Sequence, residues 1–489
     1  MGPKRIITIT LVQTWTFLNM SPRCGSSLRQ ISSIPIQARK YLALEQDMPH
    51  QRSDARTMSM KENISSRWRE LHGSKCWENL LEPLDPSLRR EIVKYGEFAQ
   101  AAYDSFDFET YSKYCGSNYY RKDELFDKLH LTRHGYKVTK YIYAMSDIDM
   151  PRWVETSLAD SAWSKESNWM GYVAVSTDDE SESLGRRDIV VAWRGTIAPA
   201  EWVQDVKVKL TPLGEGNVKV EQGFLSVYTT KSSSSKYTKK SASQQVMKEL
   251  KKLVSSYKGK GEQVSLTITG HSLGGALALL NAHEAATTFS NDVPVSAITF
   301  AGPRVGNIAF RDKLHKIGVK VLRVVNKLDM VPKIPGFGLM EAMTQNKLGR
   351  SIAQKLHWTY VHVGVELEVN MSKSPFVKHE FDLVGFHSLE VYLHLVDGHY
   401  SSKSEFRKDA KRDPALINKS TDMLIDELKI PENWRQFSNK GLVYNEYGRW
   451  VEPARVEDDL PSPPSESSDG DDSDDSSIDS ASSQEDQMN

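Results

Sequence analysis

One ten-residue stretch, Leu266-Thr-Ile-Thr-Gly-His-Ser-Leu-Gly-Gly275, constrains this chain more than any other. An apolar β-branched run enters it and an alanine/leucine run, Ala276 to Leu280, leaves it, so the Gly270-His-Ser-Leu-Gly274 pentapeptide falls between a strand and a helix. A bare GxSxG pattern is weak, but this setting is what a strand-to-helix elbow demands. The turn is so tight that the flanking positions must lack side chains, and the helix start favours negative charge developing beside Ser272. Ser272 is the candidate nucleophile.

The rest of the chain keeps the rhythm that such an elbow needs. Short β-rich runs at Met170–Val175, Ile189–Trp193, Val264–Thr269, Val295–Phe300, Val319–Val325 and Trp358–Val369 alternate with helical patterns at Gln244–Tyr257, Ser272–Ala286, Asn307–Ile317 and Ser388–Val396. That alternation predicts an α/β fold with a central, mostly parallel sheet flanked by helices. The predicted domain spans 60–455, with a helical region over 65–150 in which Asp85 and Pro86 open a helix. Residues 1–50 read as an organelle transit peptide: the first 44 carry six Lys or Arg, nine Ser or Thr and no acidic residue. A signal-peptide core at Ile6–Met20 is the competing reading, weakened by four threonines, a Gln and an Asn. Residues 456–489 hold twelve acidic residues and no Lys or Arg, so the net charge of −1 conceals a body at +11. This Ser/Asp-rich tail is expected to be disordered, with Ser468, Ser473, Ser476 and Ser482 as candidate sites for an acid-directed kinase. Lys231–Ser243 reads as a solvated loop. Cys24, Cys76 and Cys115 are odd in number and far apart, which excludes a disulfide scaffold and a Cys-rich zinc site. No dense basic stripe suggests nucleic acid, and no segment has the roughly 18 to 20 continuous apolar residues that spanning a bilayer requires.

A serine hydroxyl needs a histidine to take its proton, and the histidine needs a carboxylate to fix its tautomer. In a fold of this kind they follow in the order Ser, Asp, His. Val321-Leu-Arg-Val-Val-Asn-Lys-Leu-Asp329 is an apolar strand ending in a loop that presents Asp329, with Asp382 as the alternative. Of the six histidines after Asp329, His387 stands on the loop that opens the last helix and is the candidate base. His394, inside that helix, is the first alternative. Two donors are expected for the oxyanion: the N–H of Leu273, and Thr196 after the strand Ile189–Trp193 and Gly195. Arg194 reads as a structural anchor.

Trp193-Arg-Gly-Thr196, the GHSLGG run, Val324-Val-Asn-x-x-Asp-x-Val-Pro332 and a His opening the final helix together resemble the class 3 lipase family. Asn168-Trp-Met-Gly-Tyr-Val-Ala-Val-Ser176, Leu184-Gly-Arg-Arg-Asp188, Gly223-Phe-Leu225, Gly302-Pro-Arg-Val-Gly-Asn307 and Asn418-Lys-Ser-Thr-Asp422 resemble blocks of its plant class I phospholipase A1 group, the plastid type. The resemblance implies an α/β-hydrolase fold, a Ser272, Asp329 and His387 triad with Thr196 and Leu273 as oxyanion donors, and no cofactor or metal. It further implies release of the sn-1 acyl chain from membrane glycerolipids, phosphatidylcholine or galactolipids, feeding oxylipin synthesis, by an enzyme peripheral to plastid membranes. It also places an amphipathic lid over Ile197–Leu213. Glu221-Gln222 before Gly223 departs from many relatives. Two other functions fit the same residues: a lipase of this fold acting on triacylglycerols or small esters, and a catalytically silent lipid-binding module.

Overall fold

The computed structural model describes residues 63–109, 112, 114–145, 168–196, 209–233, 235–289, 292–335, 360–435 and 442–451. The expected leader, the acidic tail with its four serines, His357 and residues 197–208 of the expected lid lie outside them.

Seven strands make the main sheet: β1 Tyr136–Ala144, β2 Asn168–Ser176, β3 Arg187–Trp193, β6 Val264–His271, β7 Val295–Phe300, β8 Lys320–Asn326 and β9 Val365–Val369. A separate hairpin is formed by β4 Leu210–Pro212 and β5 Lys219–Glu221. The main order is β1-β2-β3-β6-β7-β8-β9; β1, β2 and β3 pair antiparallel and every pair from β3 to β9 is parallel. This is an α/β-hydrolase-like fold. β6 is buried at all of its residues, as expected of a central strand covered on both faces. Register sets Trp193 opposite Gly270 and Phe300 opposite both His271 and Val324, so the turns leaving β3, β6 and β8 open along one edge.

Helices cover both faces. α1, Pro86–Asp104, starts where Asp85 accepts from the N–H groups of Ser87 and Leu88 with Pro86 in the first turn, and its buried Leu88, Ile92, Tyr95, Phe98 and Ala102 form the helical stripe that meets the sheet. α2 is Gln222–Thr229. α3, Ala242–Gly259, opens on a capping box between Ser241 and Gln244. α4, Leu273–Phe289, is buried from Leu273 through Ala282 on every side, which explains its Gly/Ala/Leu composition. α5 is Ile308–Lys316 and α6 is Leu389–Gly398.

Three expectations need amendment. Within the region 65–150 read as helical, Tyr136–Ala144 is the edge strand β1; its alternating lysines and apolar residues are a half-exposed strand pattern. The Trp358–Val369 run is a strand only from Val365 among the described residues. The end of the Lys231–Ser243 loop is not solvated: Thr238 is buried and Ser241 caps α3.

Candidate active site

β6 delivers its last residue, His271, directly to Ser272, whose φ of 58° lies in the left-handed region that a serine seldom adopts. The turn is locked by Ser272 N–H donating to the Phe300 carbonyl at 2.9 Å and by Gly275 N–H donating to the Ser272 carbonyl at 2.9 Å. A Cβ at Gly270 would lie 2.2 Å from the Gly274 carbonyl oxygen, and one at Gly274 would lie 2.3 Å from that of Trp193. Both glycines of the pentapeptide are therefore forced by close backbone approach. Leu273 is the first residue of α4, where helix N–H groups have no intrahelical partner.

Asp329 sits in the tight turn after β8, its N–H bonded to the Asn326 carbonyl at 3.0 Å. One carboxylate oxygen, Oδ1, accepts from the Val331 N–H at 2.9 Å; the other, Oδ2, meets both His387 Nδ1 at 2.7 Å and the Tyr392 hydroxyl at 2.7 Å. Asp329 and His387 are each 1% exposed and Ser272 is 2% exposed. Asn326 ties the end of β8 to the segment before the histidine by donating to the Phe386 carbonyl at 3.0 Å. With Nδ1 held by the carboxylate, the lone pair of His387 resides on Nε2, which is buried and carries no hydrogen bond. Aspartate on one nitrogen and an unencumbered second nitrogen is the arrangement of a general base.

The alternatives are otherwise engaged. Asp382 caps the short helix Leu383–Phe386, accepting from the Val384 N–H at 2.9 Å. His394 is bonded to the Ser374 hydroxyl at 2.8 Å and stacked on Phe406, a satisfied core residue.

Thr196, half-buried, follows β3 on a loop that approaches the elbow so closely that a Cβ at Gly195 would lie 3.1 Å from Ser272 Cβ. Arg194 anchors this loop from behind. Its guanidinium donates to the Gly195 carbonyl at 2.8 Å and the Trp169 carbonyl at 3.1 Å and lies 3.7 Å from the centre of the Phe106 ring; burial lowers its pKa to about 10. A cavity of about 530 Å³ opens beside Thr196, His271 and His387, with Tyr103, Phe106, Phe108, Val384 and Leu389 as its apolar wall.

Sequence reasoning missed Tyr103, Tyr392 and the role of His271. Tyr392 lies five residues beyond His387 on α6, and nothing in a helical pattern separates a tyrosine that packs from one that reaches a carboxylate. Among the described residues no cluster of three or more His, Cys, Asp or Glu could hold a metal ion, and no helix is long and apolar enough to cross a membrane.

The family model Lipase (class 3) matches residues 190–339. Phospholipase A1-Igamma1, chloroplastic, of Arabidopsis thaliana is 46% identical over 413 residues, 81% of this chain and 80% of the relative. Phospholipase A1-Igamma3, chloroplastic, from the same plant is 46% identical over 79% of this chain and 77% of its own. Phospholipase A1-II 1 of Oryza sativa subsp. indica is 40% identical, over 81% and 98%. Among solved structures, the lipase from Rhizopus microsporus var. chinensis matches at 21% identity with a TM-score of 0.37, over 60% of this chain and 78% of that one. On the identity to the plant proteins, sustained over four-fifths of the chain, this protein belongs to the class 3 lipases, in the plant phospholipase A1 family of the chloroplastic class I kind.

Proposed function

We propose that the protein is a serine acyl hydrolase that releases the sn-1 fatty acid of membrane glycerolipids, with Ser272 as nucleophile, His387 as general base and acid, and Asp329 as the group that orients and stabilises His387. One observation carries the reading: Asp329 holds His387 Nδ1 at 2.7 Å while His387 Nε2 stays buried and unbonded next to an elbow whose serine has left-handed backbone. Ser272 Oγ attacks the ester carbonyl as its proton passes to Nε2, and the oxyanion rests on the N–H groups of Thr196 and Leu273. Collapse expels the lysolipid alkoxide, which takes the proton back from His387. Water, deprotonated by the same nitrogen, then cleaves the acyl-enzyme and restores the serine.

The substrate arrives from a lipid surface, so the mouth of the cavity must face one. Phe108 and Val384 line the cavity and are 49% and 44% exposed, and Phe381, packed edge-on against Phe386, is 75% exposed. Phe108 and Val384 thus offer exposed apolar surface at the cavity, as contact with a lipid surface requires. The expected leader and the chloroplastic names of the relatives support a plastid location, and the proposal includes peripheral attachment to plastid membranes and a product destined for oxylipin synthesis.

Leaderless protein incubated with vesicles of phosphatidylcholine, of mono- and digalactosyldiacylglycerol, and of phosphatidylglycerol, each labelled separately at sn-1 and sn-2, tests the reading. Release of the sn-1 chain from uncharged vesicles, absent in Ser272→Ala, supports it. Release of sn-2, preference for triacylglycerol or soluble esters, or binding without hydrolysis overturns it.

A further inference from the structure

The elbow histidine, His271, has no part in the reaction as written, yet both of its ring nitrogens are committed. Nε2 lies 2.7 Å from the backbone carbonyl oxygen of His387, which only accepts, so Nε2 carries the hydrogen. Nδ1 lies 2.8 Å from the Tyr103 hydroxyl. Burial, and next the neighbouring His387, holds the His271 imidazole well below its ordinary pKa, so the ring is neutral and Nδ1 accepts from the Tyr103 O–H. The Tyr103 oxygen in turn lies against Gly195. It packs so tightly there that a Cβ on Gly195 would come within 2.1 Å of it. The His271 and His387 rings are 4.6 Å apart, centre to centre.

A chain of hydrogen bonds thus runs from the Tyr103 hydroxyl, packed on Gly195, through the His271 ring to the main chain of His387. At one end it packs against the loop that presents Thr196, and at the other it holds the residue that moves the proton. Tyr103 is contributed by α1, outside the segment matched by the lipase family model, so the N-terminal helix reaches into the reaction centre.

We propose that Tyr103 and His271 are positioning residues that hold the oxyanion loop and His387 at a fixed mutual distance, so that proton transfer and oxyanion binding are satisfied together. The inference rests on the triad reading given above. Errors of about 1 Å in such constellations reduce turnover about a hundredfold.

The experiment compares Tyr103→Phe, His271→Leu, His271→Gln and the Tyr103→Phe/His271→Leu double variant with wild type and Ser272→Ala. The readouts are kcat and KM on a soluble short-chain ester, inhibition by a trifluoromethyl ketone that mimics the tetrahedral intermediate, and thermal unfolding. Tyr103→Phe is expected to lower kcat about tenfold with KM nearly unchanged and to weaken the ketone by the same factor, at near wild-type unfolding temperature. His271→Gln, whose amide still donates toward the His387 carbonyl, should recover part of the loss in His271→Leu. The double variant should lose much less than the product of the single losses, because both substitutions break one chain. Wild-type turnover in Tyr103→Phe, losses that multiply in the double variant, or a fall in kcat without matching weakening of the ketone would overturn the proposal. If Ser272→Ala stays active, the triad reading fails instead, which separates the two.

Discussion

Replacing Gly195 by alanine tests how closely the oxyanion loop is fitted to the elbow. The added methyl would meet the Tyr103 hydroxyl at 2.1 Å, the His271 carbonyl oxygen at 2.5 Å and Ser272 Cβ at 3.1 Å. Tyr103 ends a side chain and can swing aside. The His271 carbonyl is main chain at the end of a buried central strand, so the loop itself must withdraw by roughly 0.7 Å or more to regain van der Waals contact. Thr196, one residue on, moves with it. Loss of one oxyanion donor costs about 10² to 10³ in kcat, and partial displacement should fall near the lower figure, so a loss of roughly 30- to 300-fold in kcat on a soluble ester is expected. Overpacking should also reduce stability by about 1 to 3 kcal/mol. Steady-state kinetics beside urea unfolding separates the two effects. A variant within threefold of wild type in kcat would show that the loop is not held against the serine and would refute the reasoning.

Two further outcomes follow from the buried polar groups. Tyr392→Phe removes a 2.7 Å bond to Asp329 Oδ2, and since hydrogen bonds to charged groups contribute about 1.5 to 3 kcal/mol, kcat/KM should fall by roughly tenfold or more; unchanged kcat/KM would mean that His387 and Val331 suffice to hold the carboxylate. Burial lowers the imidazoles of His72 and His394 to about 3, below the ordinary value, so the unfolded chain binds more protons over that interval. Their contribution is complete above about pH 6.5 and is lost as pH falls below it, on the order of 1 kcal/mol each at about pH 5.5, and His271, His362 and His399, lowered by burial in the same direction, add to it. Urea unfolding at about pH 7.5 and 5.5 reads this directly, and equal stabilities would contradict it.

What the sequence made legible was what is written locally. The elbow needs a strand, two glycines and a helix within ten residues, and the structure places Ser272 where that pattern predicts. Asp329 and His387, 58 residues apart, were each found from a loop that follows an apolar strand or precedes an apolar helix, and the fold brings their side chains to 2.7 Å. The pieces that stayed hidden are those whose partners are remote. Tyr103 meets His271 across 168 residues, and Tyr392 meets Asp329 across 63. A helical stripe records only that such a side chain faces inward. The edge strand Tyr136–Ala144 was obscured differently: next to a long helical region its Tyr-Lys-Val-Thr-Lys alternation is short, and only the antiparallel pairing with β2 makes it a strand.

Every step of the proposed reaction depends on Ser272 as the nucleophile and on its activation by His387. Labelling the intact protein with a fluorophosphonate and mapping the modified peptide by mass spectrometry tests this most directly, because only an activated serine reacts quickly. One adduct is expected, on Ser272, formed at least about a hundredfold more slowly in His387→Ala and absent in Ser272→Ala. An adduct on another residue, or labelling of Ser272 at an undiminished rate in His387→Ala, would contradict it.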